Sequence, residues 1–196
     1  MNKDLNQLTQ LAISLGASEA RLISSDDIVV DDRLAHKCVE PQCENYGLSF
    51  SCPPYVEGPA SFRELIKTHP QALVIRLVIP SSMLLSWERV DLGRVLHELV
   101  ATVELEARKM GYARSSGFAG GSCKELFCQD HLSCRRIEEN WPCRHPDLAR
   151  PSMSGYGIDV FQLVESCDWE TNLNQEDELP VTDQLSWVAG LIMIGE

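Results

Sequence analysis

The sequence lacks any apolar run long enough to cross a bilayer. Its longest, residues 72–79 with Arg76 inside it and residues 187–194, fall far short of the roughly 20 residues a spanning helix needs. The first ten residues, MNKDLNQLTQ, hold no apolar core of the kind a signal peptide carries, and the expectation is a cytoplasmic protein. Positive charge is scarce: 17 Lys and Arg against 29 Asp and Glu leave a net charge of −12. With no basic patch to offset phosphate, nucleic acid is excluded as a partner, and so is an anionic membrane surface. No phosphate-cradling glycine motif is present. The Gly117-Phe-Ala-Gly-Gly121 stretch resembles one only superficially, so no nucleotide cofactor is expected. Internal repeats and low-complexity tracts are missing too. No acid–base or nucleophile constellation stands out, and Asp31-Asp32 reads as a helix cap rather than a general base.

What the sequence does have is cysteine. Eight cysteines in a chain expected to occupy a reducing compartment point to metal ligation or catalysis before disulfides. Seven fall into two clusters. The first is Cys38, Cys43 and Cys52, followed by Pro53-Pro54, and the second is Cys123, Cys128, Cys134 and Cys143. Thiolate suits zinc and iron–sulfur clusters alike. Structural zinc favours paired short knuckles, whereas these spacings are longer and less regular, as a bulkier [4Fe–4S] cubane allows. A proline directly after a ligating cysteine recurs in bacterial ferredoxins, and Cys52-Pro53 has that form. Iron–sulfur is therefore the leading reading, with zinc as the alternative. Cys167 stands apart on a helical face and reads as a buried structural thiol. His36, His131 and His145 are spare candidate ligands, while His69 and His97 carry no signal.

Between the clusters the pattern alternates. Leu5, Leu8, Leu11, Ala12 and Leu15 recur at helical spacing up to Gly16. Strands are expected at 19–23 and 28–30. A capping box at Ser61 and Glu64 opens a helix toward His69-Pro70. Residues 72–79 read as a buried strand. Leu92, Val95, Leu96, Leu99, Val103, Ala107 and Met110 mark the longest helix, capped by Asp91 and ended by Gly111. A strand at 112–118, a helix around 158–167, an acidic loop at 172–178 and a last strand at 187–194 complete the chain. The fold class expected is α/β, or α+β. A mixed sheet is flanked by helices, with cysteine-rich loops at 36–56 and 119–153 off one core, in a single domain of residues 1–196.

Some of these strings occur together in one family. Cys43-Glu-Asn-Tyr46-Gly47-Leu-Ser-Phe-Ser-Cys52-Pro-Pro-Tyr55, then Pro142-Cys143-Arg144-His145-Pro146, Arg150-Pro151-Ser152-Met153 and Gly157-Ile158-Asp159-Val160 resemble the predicted metal-binding protein family, domain of unknown function 2284. The resemblance spans about residue 19 to the final strand. It implies a cysteine-rich prokaryotic protein, often with anaerobic relatives, carrying a [4Fe–4S] cluster. The family's motif cysteines map onto Cys38, Cys43, Cys52, Cys123, Cys128, Cys134 and Cys143, and no reaction comes with it.

The ligand count sets out the chemistry. Four cysteines saturate one cubane, whereas three leave one iron without a protein thiolate and able to act as a Lewis acid. An electron carrier or redox adaptor with one or two [4Fe–4S] clusters, working with a redox partner protein or small molecule, is the first reading. An enzyme using an open iron for sulfur abstraction, lyase or reductive chemistry is the second. A zinc-binding structural module is the third. Arg135, Arg136 and Arg144 flank the second cluster and are placed to offset its charge, to hold an anionic ligand or to form ordinary ion pairs. Tyr46 and Phe50 are expected to pack over the first site, and Trp141 over the second.

Overall fold

The fold follows from one strand buried on both faces. The computed structural model describes residues 4–174 and 184–196. The acidic loop expected at 172–178 lies mostly outside them. Within them β2 (Gln71–Pro80) is buried from Ala72 to Leu77, a near-continuous apolar run because both of its faces are covered. It pairs with β1 (Glu19–Ser24), matching Glu19 with Arg76 and Ser24 with Gln71. On its other side it pairs with β4 (Leu185–Ile194), from Gln71 against Ile194 to Pro80 against Leu185. A short β3 (Ser116–Phe118) completes the sheet against Leu191–Met193, in the order β1-β2-β4-β3. All three pairings are antiparallel, so of the two arrangements expected the chain takes the α+β form, without the parallel pairs of a mixed sheet.

Alternation of side chains along the strands sorts the core into two layers. Leu73, Ile75, Leu77 and Ile79, with Ile192 and Ile194, pack against α1 (Asn6–Ser14), α4 (Ser81–Leu84) and α5 (Glu88–Lys109). Ala72, Val74, Leu191 and Met193 face the other way, onto Phe62 of α3 (Gly58–Thr68) and Leu163 of α8 (Val160–Glu165). Arg76, the charge that interrupts the β2 run, is 3% exposed. It is paired with Glu19, donates to the Glu170 carbonyl at 2.6 Å and lies 5.1 Å from the Trp169 ring. At Gly190 of β4 a methyl group would come within 2.3 Å of Val100 on α5, so glycine lets helix and sheet close together.

Several local expectations shift. Residues 28–30 form no strand; Val30 makes one isolated bridge to Ile158. Asp31 caps α2 (Asp32–His36), its side chain accepting from the Arg33 N–H at 2.9 Å, as paired aspartates suggested. Ser61 and Glu64 form no capping box. Gly58, with φ of 80°, and Pro59 start α3 earlier, leaving Ser61 inside the helix, where it donates to Glu57 at 2.5 Å. The long helix likewise begins before Asp91, at Glu88, whose N–H donates to Ser86 Oγ at 3.2 Å. The strand expected at 112–118 is only three residues long. Among the described residues no helix is long and apolar enough to cross a membrane.

Candidate metal centre

The first cysteine loop leaves α2 as a chain of tight turns. Cys43 N–H donates to the Cys38 carbonyl at 3.1 Å, Cys52 N–H to Ser49 at 3.2 Å, and Gly47 N–H to Pro53 at 2.9 Å. Gly47 has φ of 76°, the left-handed region that glycine enters without strain. Cys38, Cys43 and Cys52 line one cavity of about 490 Å³, with Lys37, Tyr46 and Asp159 among its walls. Burial, then the neighbouring Cys43 and Cys52, push the Cys38 thiol up from its ordinary value.

The second set sits on short helices. Cys123 opens α6 (Cys123–Phe127) and Cys128 ends it; Cys134 precedes α7 (Arg135–Glu138), and Cys143 lies on the loop beyond. All four line the same small void of about 20 Å³, together with Ser49, Lys124 and the three flanking arginines. Burial pushes the Cys128 thiol up, as do Cys143 and Cys134, while Arg144 and Lys124 pull it back. These two cations and Arg135 hold the loop's carbonyls. Arg135 donates to Pro142 at 2.5 Å and Cys143 at 3.1 Å, Arg144 to Ser133 at 3.2 Å, and Lys124 to Cys128 and His131 at 2.8 and 2.6 Å. Arg136 instead stacks 4.0 Å from the centre of the Phe50 ring.

The two sets meet at a wall of buried hydroxyls. Ser49 Oγ lies 3.1 Å from both Ser51 Oγ and Ser122 Oγ. Ser51 Oγ lies 3.9 Å from Cys52 Sγ and accepts from the Cys123 N–H at 3.4 Å. Burial pushes the Cys123 thiol up to about 11, hydrogen bonds from Ser51 and Ser49 pull the other way, and Cys143 and Cys52 raise it further. Cys123 therefore senses sulfur from both motifs. The Arg150-Pro-Ser-Met153 segment stitches the loops together. Ser152 N–H donates to Ser51 at 2.9 Å, Ala119 N–H to Pro151 at 3.1 Å, and Met153 N–H to Ala119 at 3.1 Å.

Other expected positions fall elsewhere. Tyr46 lines the first cavity, but Phe50 lines the second side, beside Cys123, Cys134 and Cys143. Trp141 is 62% exposed and does not cover a site. His36 faces solvent and pairs with Glu40 at 3.8 Å, and His131 is exposed. The His145 ring packs against Phe127, and its backbone N–H donates to Cys143 Sγ at 3.4 Å. Cys167 is fully buried, with its thiol donating to the Leu163 carbonyl at 3.4 Å, and burial pushes it up to about 11. Cys167→Ala is expected to lower stability by about 1 kcal/mol with unchanged metal content, measured by chemical unfolding beside a metal assay.

The network the sequence did not reveal lies under the second loop. His97 is fully buried. Its Nδ1 accepts the Arg150 N–H at 3.1 Å, so its Nε2 carries the proton and donates to the Gly120 carbonyl at 3.0 Å. Arg150 pairs with the buried Glu104, which also holds Arg108 at 2.5 Å. The available signal was two polar residues, seven apart, inside the buried stripe of α5. Burial lowers the His97 pKa to about 4, below its usual 6.5. Neutral His97 thus adds stability that is complete above the unfolded-state value and is lost as pH falls from about 6.5 toward 4, by about 3 kcal/mol. Unfolding curves between pH 7 and 4 should show this slope in the wild-type chain and a shallower one in His97→Gln.

Among the described residues, no three Cys, His, Asp or Glu side chains close on a point able to hold a single metal ion; the sulfurs ring voids. The donor chemistry, soft thiols with hydroxyl and N–H donors turned toward sulfur, fits sulfur-ligated metal. Two such thiol sets, carried on loops against a helix-flanked antiparallel sheet, define a cysteine-rich protein of the metal-binding class. More particularly, residues 21–194 match the family described as Predicted metal-binding protein (DUF2284), and the chain belongs to that family. No curated protein and no solved structure matches it.

Proposed function

We propose that the chain is an iron–sulfur protein that holds clusters on its two thiol sets and works in electron transfer. The observation that carries this reading is that Cys123, Cys128, Cys134 and Cys143, spread over 21 residues, all line one small void. Four thiolates are what a [4Fe–4S] cluster takes from its protein. A cluster bound there supplies one-electron transfer. The chain's own residues would bind it through Cys123, Cys128, Cys134 and Cys143, with Arg144 and Lys124 tempering its charge. The reading carries with it a reducing, cytoplasmic setting and a redox partner, protein or small molecule.

A second reading rests on the first cavity. Three thiols in a space of about 490 Å³ leave room within the size range of small-molecule sites. That cavity shares Gly121, Ser154 and Val160 with an adjoining one of about 410 Å³ walled by Leu92, Leu96, Leu126 and Trp187. This favours an enzyme that presents an open metal position to a partly apolar substrate. Iron and sulfide assays on anaerobically purified protein test the common premise. Brown protein with about eight irons per chain is expected for two [4Fe–4S] clusters. Stoichiometric zinc in a colourless preparation would overturn the reading.

A further inference from the structure

We propose that the two adjoining cavities form one site for a small carboxylate with an apolar body. Its oxyanion is held beside Lys37 and Ser152, and its chain lies among Leu92, Leu96, Leu126 and Trp187. This deepens the second reading above by naming a substrate class, and the ligand's role as substrate rests on that reading.

The polar end is marked by side chains left without partners. Among the described residues Lys37, Tyr46, Ser152 and Ser154 make no side-chain hydrogen bond or ion pair, and all four line the cavity of Cys38, Cys43 and Cys52. Ser152 is 7% exposed, yet no enclosed side-chain polar atom of the described residues lacks a partner. Its hydroxyl therefore opens onto the cavity, where a bound polar group can meet it. The charges decide the sign of that group. Asp159, the carboxylate on this wall, already accepts the Phe161 and Gln162 N–H groups at 3.1 Å and the Gln162 side chain at 3.0 Å. Lys37 acts at longer range on Asp31, which Arg33 pairs at 2.7 Å. Besides the thiols, one charge on the wall is left unmatched. It is positive, and an anionic oxygen is its complement. The adjoining cavity supplies the apolar end, with Leu92, Leu96 and Leu126 all buried. Its own charges, Arg89 and Glu125, pair with each other at 3.1 Å, so that end calls for no second charge. Gly121, Ser154 and Val160 belong to both cavities. Gly121 takes a φ of 84°, and beside it a methyl group on Gly120 would meet nothing within 4 Å. Two residues without side chains thus keep the passage between the polar and apolar ends open.

The test is isothermal titration calorimetry of the anaerobically prepared, metal-loaded chain with butyrate, pentanoate and hexanoate. Affinity is expected to rise about fourfold with each methylene. Hexanol, which lacks the carboxylate, is expected to bind about tenfold more weakly than hexanoate. Lys37→Gln should weaken all three acids by about tenfold and leave the rise per methylene intact. Gly120→Leu, which puts a side chain into the apolar end, should retain butyrate and flatten the rise. If that variant does not fold, Val90→Trp fills the same cavity from α5 and is read instead. Hexanol binding as tightly as hexanoate, an undiminished rise in the cavity-filling variant, or no binding of any acid overturns the assignment. In each of those cases the open-metal reading still stands if cyanide perturbs the cluster EPR signal of the wild-type chain. Acids that bind as expected to a chain whose EPR signal ignores cyanide leave a ligand site and overturn its role as the substrate site of an open metal.

Discussion

Cys143→Ser is expected to halve the iron content, from about eight to about four per chain, and to abolish one EPR signal while leaving a second. Cys143 lies on the loop pinned by Arg135, which donates to its carbonyl at 3.1 Å, and its sulfur accepts the His145 N–H at 3.4 Å. It lines the small void with Cys123, Cys128 and Cys134, and its charge acts on both Cys123 and Cys128. Replacing its soft sulfur with a hard oxygen removes one corner of that set. Cys38, Cys43 and Cys52 face a different cavity, so their site should persist. Loss of all iron in this variant would mean one centre drawing on both motifs and would end the two-site description. Retention of all iron would remove Cys143 from the ligands.

Glu104→Ala is expected to lower unfolding stability by about 4 kcal/mol, because it leaves the buried Arg150 guanidinium without its partner. The two side chains are 4% and 8% exposed, so little water reaches the abandoned charge. In a chain of 196 residues this corresponds to a fall in Tm on the order of 10 °C. The same change should loosen the metal sites. Arg150 begins the segment that ties Ser51 to Ala119, and its backbone N–H is held by His97. As a control, Lys109→Ala removes an exposed pair with Glu106 and should stay within about 0.5 kcal/mol of wild type. Equal losses in the two variants, measured by thermal melts, would show that burial of the Arg150 pair has no special weight.

Much of the frame was legible. The apolar run of β2, the heptad-like stripe of α5 and the terminal strand are strong because each buries a long continuous face, and periodicity records burial. Short elements were not. The start of α3 moved because Gly58 and Pro59 impose backbone geometry that outweighs the Ser61 signal. Residues 28–30 look like a strand by composition, yet they find only one bridging partner, Ile158. Phe50 and Trp141 were misplaced because a loop's side chains follow the path of its turns, which composition does not encode.

By itself the sequence determined that soft donors come in sets of three and four, that the chain is acidic, and that a strand buried on both faces anchors the core. Only the tertiary structure decided which groups face one another. Ser51 meets Cys123 across 72 positions, Arg150 meets Glu104 across 46, and Lys124, Arg135 and Arg144 hold loop carbonyls. Such contacts join residues far apart in the chain, and they depend on the distances at which packed elements come to rest. Local spacing carries no record of those distances.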